Sequence, residues 1–383
     1  MPSILLCFSV LLPLVRGAAG IVVPPTTGPF TVGTTILEVI DYSRQDPLAP
    51  TPQPRDLVVS LFYPTDIRSH NATPDANSHE CRPAVQLSPA VAAALETIGG
   101  MPNGTLRNII TPACLDAPLS RPQEPFLLFT PGLGSPKALY SEALIEIASY
   151  GWNVAAVDHP YESAAVEYPD GRVVYGLTMN GTEEQAISNI EIRTADLISV
   201  LNALSNSTIT KNIPGYAGHK DCGINVRKVG VLGHSLGGAT ALHAMANDTR
   251  FVVGSNIDGS FWGPEKEVGT DNPFLILTAQ DHNRTNDDTW ATTWPNLRGF
   301  RREYTVSGAE HNSFTDIPLM REIWGPGFPP DIVTNLGPIN GTRVMGIQRA
   351  FLTSLFGRFL KGKNDGLLDG VGVDAWPEVT IGV

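Results

Sequence analysis

The sequence predicts an α/β protein with a mostly parallel, twisted sheet and helices on both faces. From residue 126 onward short apolar strands alternate with amphipathic helices, and this alternation implies a parallel sheet with right-handed crossovers. The chain has 383 residues, of which 42% are hydrophobic and 17% charged, which is enough for one large domain. No internal repeat or second domain is visible, so we expect one domain over residues 20–383.

The first residues predict a secretory signal. An apolar run at 4–15 is followed by small residues at 17–20, and the run is too short to span a bilayer comfortably. We expect residues 1–19 to be removed; the alternative is a buried first helix. Sequons for N-glycosylation fit a secreted, extracellular protein, and they lie at Asn71, Asn103, Asn180, Asn206, Asn247, Asn283 and Asn340.

Cysteine content limits the disulfides that can form. Without the leader three cysteines remain, and they allow one disulfide by three pairings. Cys81–Cys114 is favoured because both residues lie in one polar, proline-bearing stretch, whereas pairings with Cys222 stay open. No cysteine pair has metal-ligand spacing, and we expect neither a metal nor a cofactor.

The charge of the chain limits its partners. A formal net charge of −12 argues against nucleic acid and against electrostatic docking on anionic membranes. Peripheral contact with zwitterionic lipid aggregates through apolar side chains stays open, as does the oligomeric state.

The N-terminal part of the domain predicts two strands and an insertion. Residues 31–41 and 56–63 have strand patterns joined by a proline-rich link, and strands that precede any helix suggest an antiparallel edge. Residues 66–124 are the least periodic part of the chain. We expect an insertion over one face there, with one short helix near 89–98.

Strands and helices alternate through the middle of the chain. Phe126–Thr130 is an apolar strand that runs into a glycine turn, and Ser135 and Pro136 predict the N-cap and first position of a helix. The pattern continues with a strand at 152–157, a helix at 183–205 and a strand at 226–232.

The last third predicts further strands that end in polar loops. Strands at 251–257, 273–279 and 302–306 are followed by loops at 258–260, 280–282 and 308–312, and the carboxyl ends of parallel strands are where such sheets place their sites. Residues 317–340, with Trp324 and Phe328, predict a cap or rim, and residues 342–361 predict a closing helix.

The run Gly233-His234-Ser235-Leu236-Gly237 carries the chemistry. An apolar strand precedes this Gly-x-Ser-x-Gly turn and a helix with small residues follows it, which is the context that exposes a nucleophilic serine and aims the next N–H at an oxyanion. We therefore predict Ser235 as the nucleophile and Leu236 N–H as one oxyanion donor. The glycine turn at Leu133 would supply the second.

A serine hydroxyl needs a histidine base, and that base needs a carboxylate to orient it. His311 is the preferred base because it follows the last predicted strand, and His282 is the alternative. His243 lies two helical turns beyond the serine and would point away from the turn. His70, His79, His159 and His219 precede the serine in the chain.

Two aspartates end successive strands, and the residues alone hardly separate them as the acid. Asp258 is slightly favoured because it follows its strand directly and Gly259 and Ser260 can make a tight turn. Asp281 remains the alternative. Asp158, at an earlier strand end, is expected to fix loops or the mouth of the site.

Several motifs together resemble the platelet-activating factor acetylhydrolase family of secreted lipases, the group VII phospholipases A2, and its fungal relatives. They are FYP, TPGLG, VDHPY, GHSLGGAT, NIDGS and EHNSF, and they lie between about residues 31 and 361. The resemblance implies an α/β-hydrolase fold and favours Asp258 as the acid, His311 as the base, and Leu133 and Leu236 as the oxyanion donors. Pro131 departs from the family, whose turn usually has histidine at that position.

The residues predict a serine hydrolase that cleaves carboxylic esters through an acyl-serine intermediate. The resemblance implies a phospholipid substrate with a short or oxidised sn-2 acyl chain, such as platelet-activating factor. A broad short-chain esterase or polyester-degrading hydrolase is the alternative, and an apolar rim formed by Trp324 and Phe328 would favour lipid. A non-catalytic binding protein and an acyltransferase are more distant alternatives.

Overall fold

The computed structural model describes residues 21–67, 80–216, 224–325, 328 and 334–382. The predicted leader at 1–19, Cys222, the sequon at Asn71 and three of the histidines considered above, His70, His79 and His219, lie outside the described residues.

The strands of the described chain form one large sheet and a small two-stranded one. The large sheet has twelve strands in the order β1-β5-β2-β3-β7-β6-β10-β11-β12-β13-β14, with β4 paired to β5, and β8 pairs with β9. The strands are β1 Ile21–Val22, β2 Thr31–Gln45, β3 Pro54–Thr65, β4 Pro83–Val85, β5 Ile109–Leu115, β6 Phe126–Thr130, β7 Asn153–Asp158, β8 Ala165–Glu167, β9 Val173–Tyr175, β10 Val229–His234, β11 Phe251–Ile257, β12 Phe274–Ala279, β13 Arg301–Val306 and β14 Val379–Ile381.

Helices cover both faces of the large sheet. Buried side chains of α2 and α9 pack on one face, including Leu144 and Phe351, and those of α3 and α5 pack on the other, including Leu201 and Leu242. The α-helices are α1 Pro89–Ile98, α2 Ser141–Ala148, α3 Glu183–Leu204, α4 Ser207–Thr210, α5 Leu236–Asn247, α6 Glu265–Val268, α7 Asp288–Thr293, α8 Ile317–Trp324 and α9 Gly341–Leu360.

The centre of the sheet is parallel, as the alternation of strands and helices predicted. Strands β7, β6, β10, β11, β12 and β13 pair in parallel, whereas β3 joins β7 antiparallel and β14 joins β13 antiparallel. The predicted mostly parallel sheet with helices on both faces is therefore confirmed. The carboxyl ends of β6, β10, β11, β12 and β13 lie at one edge of the sheet, where the predicted site residues follow.

The N-terminal hairpin and the insertion differ from the prediction in one respect. Strands β2 and β3 pair antiparallel, but β2 is not the edge of the sheet, because β5 of the insertion pairs with it in parallel. The insertion thus contributes strands as well as the predicted helix at Pro89–Ile98. A disulfide joins Cys81 to Cys114, with Cα atoms 5.0 Å apart, and it ties the chain just before β4 to β5.

Two local predictions were wrong. Ser135 does not cap a helix, because the helical stretch begins as a 3-10 turn at Lys137–Tyr140 with Pro136 before it and becomes α-helical only at Ser141. The segment predicted as a rim begins instead with α8, whose buried Ile317, Leu319 and Met320 belong to the core.

Candidate active site

Ser235 lies between β10 and α5 in a strained backbone conformation. Its φ of 56° and ψ of −126° lie in a region that L-residues other than glycine seldom adopt. Two backbone hydrogen bonds hold it there, from Ser235 N to Ile257 O at 2.9 Å and from Gly238 N to Ser235 O at 2.8 Å. The turn therefore presents the serine side chain at the carboxyl edge of the sheet.

Gly237, which ends this turn, must be glycine because the backbone of the neighbouring strand β6 comes very close to it. A Cβ atom on Gly237 would lie 2.1 Å from the carbonyl oxygen of Thr130, at the end of β6. Because glycine has no side chain, the turn can pack directly against the neighbouring strand.

The structure brings Ser235, His311 and Asp258 into hydrogen-bond contact. Ser235 Oγ lies 3.0 Å from His311 Nε2, and His311 Nδ1 lies 2.6 Å from Asp258 Oδ2. His311 opens a short 3-10 turn after β13, and Asp258 directly follows β11 with a φ of 54°. This arrangement can deprotonate the serine hydroxyl and stabilise the imidazolium that results.

The environment of Asp258 keeps it ionised. Burial alone would raise the pKa of this carboxyl group, but hydrogen bonds from His282 and His311 outweigh burial and lower the pKa to about 2. Ala279 N also donates to Oδ1 at 2.8 Å. Asp258 is therefore a carboxylate at neutral pH.

The alternative acid and base have other partners. Asp281 is exposed, and its carbonyl oxygen accepts from Asn286 Nδ2. His282 Nδ1 faces Asp258 Oδ1 at 3.0 Å and its Nε2 faces Asp287 Oδ2 at 2.8 Å. Since both ring nitrogens of His282 face carboxylates, neither is available to take a proton from Ser235.

The other histidines and Asp158 have structural partners. His243 Nδ1 lies 2.8 Å from Thr194 Oγ1 on α3. His159 is buried between Thr130 and Asp196, and Asp158 forms a buried ion pair with Lys137. Asp158 thus fixes the start of the helical segment after the glycine turn, which agrees with its predicted role in fixing loops.

Both predicted oxyanion donors line the same cleft as Ser235. Leu133 follows β6 and Leu236 opens α5. In the described part of the chain neither backbone N–H donates to a protein acceptor, so both are free to receive a negatively charged oxygen. The two turns are adjacent, because a Cβ built on Gly132 would lie 3.4 Å from Ser235 Cβ.

Buried polar groups hold the glycine turn in place from both sides. Arg193 on α3 donates from Nη1 to Pro131 O at 2.5 Å and from Nη2 to Gly132 O at 3.3 Å. Its Nε donates to Glu162 Oε1 at 2.7 Å. From the other side Gly132 N donates to Tyr140 Oη at 3.2 Å. The backbone before Leu133 is therefore fixed at both carbonyls and at one N–H.

A family model for platelet-activating factor acetylhydrolase, isoform II, matches residues 17–324. The chain belongs to this family. The match includes Ser235, Asp258 and His311, and the resemblance inferred from the sequence motifs is confirmed.

Relatives with assigned names agree with this family. The chain is 29% identical to a probable 1-alkyl-2-acetylglycerophosphocholine esterase of Arthroderma benhamiae, over 93% of this chain and 92% of the relative. It is 24% identical to the platelet-activating factor acetylhydrolase of Cavia porcellus, over 77% of this chain and 69% of the relative. This member of the platelet-activating factor acetylhydrolase family is a carboxylic-ester hydrolase, as predicted.

A solved structure shows the same fold. The ferulic acid esterase from Streptomyces cinnamoneus matches with a TM-score of 0.77 and 30% sequence identity, covering 95% of this chain and 99% of that one. The predicted α/β-hydrolase fold is confirmed. No helix in the described residues is long and apolar enough to cross a bilayer.

The cleft that holds Ser235 in this family member has a volume of about 330 Å³. The amino-terminal end of α3 forms one side, where the Thr182 side chain accepts from Gln185 N and caps the helix. Among the described residues that line it, Trp262 is the aromatic one besides the imidazoles of His282 and His311, and the predicted rim residues Trp324 and Phe328 are absent. They pack against each other with ring centroids 6.2 Å apart.

Sequence reasoning overlooked the residues that support the site. His234, inside the Gly-x-Ser-x-Gly turn, is buried, and its Nδ1 lies 2.9 Å from Tyr140 Oη and its Nε2 2.9 Å from His311 O. Burial and the nearby His311 lower its pKa to about 3, so it stays neutral. The buried position of Arg193 could have been inferred from the sequence, because Arg193 lies at helical spacing between the apolar residues Ile190 and Leu197.

Proposed function

We propose that the protein hydrolyses the sn-2 ester of phospholipids that carry a short or oxidised acyl chain, such as platelet-activating factor. The observation that carries the proposal is the contact between Ser235, His311 and Asp258 in the cleft of a chain from this family. The relative from Arthroderma benhamiae is named as an esterase of an alkyl-acetyl-glycerophosphocholine, which supports this substrate class.

The proposed reaction has two halves. Ser235 Oγ attacks the ester carbonyl while His311 Nε2 takes the hydroxyl proton, and the carbonyl oxygen becomes an oxyanion held by Leu133 N–H and Leu236 N–H. The C–O bond breaks and His311 returns the proton to the lysophospholipid alkoxide. Water then attacks the acyl-serine with His311 as base again, which releases the acid and restores Ser235. Asp258 orients His311 throughout.

The size of the cleft supports a short acyl chain. A volume of about 330 Å³ is near the lower end of the roughly 300–1,000 Å³ that small-molecule sites occupy. An acetyl or similarly short group together with part of the head group fits this space better than a long acyl chain does.

A broad short-chain esterase is the second candidate. The similarity to a ferulic acid esterase at 30% identity favours it, and so does the absence of Trp324 and Phe328 from the described lining of the cleft. An esterase of this kind would accept aryl esters or polyesters and would need no phospholipid head group.

We further propose that the protein is secreted and glycosylated. Of the sequons in the described residues, those at Asn103, Asn180, Asn206, Asn247 and Asn340 are exposed, whereas Asn283 is half-buried. The Cys81–Cys114 disulfide also fits an oxidising compartment. Mass spectrometry of the protein from culture medium, with and without glycosidase, tests this, and a cell-retained, unmodified chain would contradict it.

The substrate is tested by hydrolysis of a phosphatidylcholine series from sn-2 acetyl to sn-2 palmitoyl, run beside p-nitrophenyl butyrate. We expect turnover of the acetyl phospholipid, falling steeply with chain length. Turnover of the nitrophenyl ester alone would favour the second candidate instead.

The residue roles are tested with matched pairs. Ser235→Ala should abolish turnover, whereas Ser205→Ala, at an exposed serine, should leave it unchanged. Asp258→Asn should lower kcat by about 10⁴-fold, the effect expected when the acid no longer holds the correct histidine tautomer, and Asp281→Asn should leave kcat within about twofold. Activity that survives in Ser235→Ala, or is lost in Asp281→Asn, would overturn the assignment.

A further inference from the structure

The carboxylate of Asp258 lies between two imidazole rings. His311 Nδ1 is 2.6 Å from Oδ2, and His282 Nδ1 is 3.0 Å from Oδ1. His282 belongs to the loop after β12. Strand β12 lies between β11, which precedes Asp258, and β13, which precedes His311. The proposed triad therefore continues beyond its acid to a second histidine.

The outer nitrogen of His282 faces a second carboxylate. His282 Nε2 lies 2.8 Å from Asp287 Oδ2. A carboxylate only accepts hydrogen bonds, so each ring nitrogen must carry a proton if both contacts are to be made. Burial opposes the charged form of His282, but the hydrogen bonds to Asp258 and Asp287 outweigh burial and raise its pKa to about 9. His282 is thus an imidazolium at neutral pH.

The orientation of this imidazolium is fixed by its neighbours. Its ring stacks on Trp290 with centroids 4.1 Å apart, and Trp290 Nε1 donates to Gly259 O at 2.7 Å. Asp287 is fixed in turn, because its side chain caps α7 by accepting from Thr289 N and Trp290 N. Ser260 Oγ also donates to Asp287 Oδ2 at 2.5 Å.

The other charged groups near His282 are paired or exposed to solvent. Glu303 on β13 acts on it electrostatically, but Arg284 Nε pairs with Glu303 Oε2 at 2.6 Å. Asp281, next in sequence, is exposed and is screened by solvent. The groups that control His282 are therefore Asp258 and Asp287.

We propose that protonated His282 is a positioning residue of the catalytic site, which holds the Asp258 carboxylate in the orientation that serves His311. The proposal rests on the triad roles proposed above but not on the identity of the ester. If His282 loses a proton, one of its nitrogens turns a lone pair toward a carboxylate, and the orientation of Asp258 is lost. Activity should then fall with deprotonation of His282.

The dependence of kcat on pH tests this with p-nitrophenyl butyrate. We expect kcat of the wild type to decline above about pH 9, where His282 loses its proton. His282→Asn keeps an N–H donor near the Nδ1 position but cannot titrate. It should lower kcat about tenfold, the scale typical of outer partners of a catalytic group, and should lack the alkaline decline. His243→Asn, at a histidine remote from Asp258, should keep the wild-type profile.

Asp287→Asn provides a second variant in case His282→Asn folds poorly. Asparagine caps helices as well as aspartate does, so α7 should persist, while the charge that favours the imidazolium is removed. The alkaline decline should move to lower pH by about one unit, a shift equivalent to a tenfold change in the proton affinity of His282. An unchanged profile in both variants would overturn the proposal.

A measurement without substrate separates this proposal from the proposed function. In Ser235→Ala labelled with ¹⁵N-histidine, NMR should show both nitrogens of His282 protonated at pH 7.5 and one proton lost near pH 9. A neutral His282 at pH 7.5 would contradict the positioning role, whatever the enzyme hydrolyses. Failure of phospholipid turnover with the expected NMR titration would contradict only the substrate assignment.

Discussion

Arg193 is among the largest fully buried side chains of the described chain. Its guanidinium group binds the carbonyls of Pro131 and Gly132 and pairs with Glu162. A cation in this position costs desolvation free energy, which its contacts offset. The proposed oxyanion donor Leu133 follows these two carbonyls directly, so the charge fixes the turn that would stabilise the transition state.

Replacement of Arg193 should therefore affect both stability and kcat. Arg193→Met leaves Glu162 buried without its partner, and we expect the free energy of unfolding to fall by about 3–5 kcal/mol. We also expect kcat to fall roughly 100-fold, as for loss of one oxyanion donor. Urea unfolding and steady-state kinetics measure the two effects, with Arg227→Met, at an exposed arginine, as the control.

The double variant Arg193→Met/Glu162→Gln separates the two effects. Because glutamine carries no charge, stability should recover in part, whereas kcat should stay low since the glycine turn still lacks its donor. Full recovery of kcat together with stability would show that Arg193 acts only on folding.

At the residue scale, the proposed catalytic residues could be predicted from the sequence better than the residues that hold them in place. Ser235 lies in a local motif and His311 follows the last predicted strand, so short patterns and chain order were sufficient to propose these two. Asp258 was favoured over Asp281 mainly by the family resemblance. The contact of His282 with Asp258 depends on the register of β11 and β12, which no local pattern encodes. His282 was for this reason considered as a rival base and not as a partner of the acid.

Among the elements, the insertion shows where prediction from sequence stops. Helix α1 was predicted at its observed bounds, because proline at its first position and an alanine-rich run are local signals. Strand β5 was not predicted, because it contains Pro112 and because its partner β2 is distant in sequence. Strand pairing of this kind is decided by tertiary contacts.

The disulfide should stabilise the insertion without taking part in catalysis. Cys81 and Cys114 are 33 residues apart, and the chain-entropy model gives about 3–4 kcal/mol for a loop of this length. We expect Cys81→Ser/Cys114→Ser to lose that much free energy of unfolding while kcat stays within about threefold, because neither cysteine lines the cleft.

Denaturant unfolding and kinetics on the reduced and oxidised wild type provide the comparison for this variant. Peptide mapping under non-reducing conditions should recover the Cys81–Cys114 cross-link. A cross-link to Cys222 instead would contradict the pairing, and a collapse of kcat in a variant that stays folded would link the insertion to the cleft.

For the whole molecule, buried carboxyl and imidazole groups determine how stability changes with pH. Burial raises the pKa of Asp316 to about 7, that of Glu265 to about 7 and that of Asp56 to about 6. A raised folded-state pKa means that the folded protein binds protons more tightly than the unfolded chain, so these three groups lower stability as pH rises from about 4 to 7. The lowered pKa of buried His234, about 3, acts in the opposite direction between about pH 3 and 6.5. His282 acts in the same direction as the three carboxyl groups between about pH 6.5 and 9.

The lowered pKa of Asp258, about 2, acts oppositely, because its stabilising contribution is lost as pH falls below about 4. Above about pH 6.5 His234 is neutral in both the folded and the unfolded chain, so we expect the free energy of unfolding to be clearly smaller at pH 8.5 than at pH 6.5. Urea unfolding at pH 6.5, 7.5 and 8.5 measures this. Asp316→Asn should flatten the decline above pH 6.5, whereas Asp281→Asn should not, and a stability maximum above pH 8 would contradict the argument.

The large sheet ends in very short strands. The outer strand on one side is Pro83–Val85, and on the other side Val379–Ile381 covers Arg301–Val306. Long uncovered edges promote aggregation by adding strands from other molecules. Loss of Val379–Ile381 would uncover the longer strand that leads to His311. A purification tag or a truncation should therefore leave Val379–Ile381 intact.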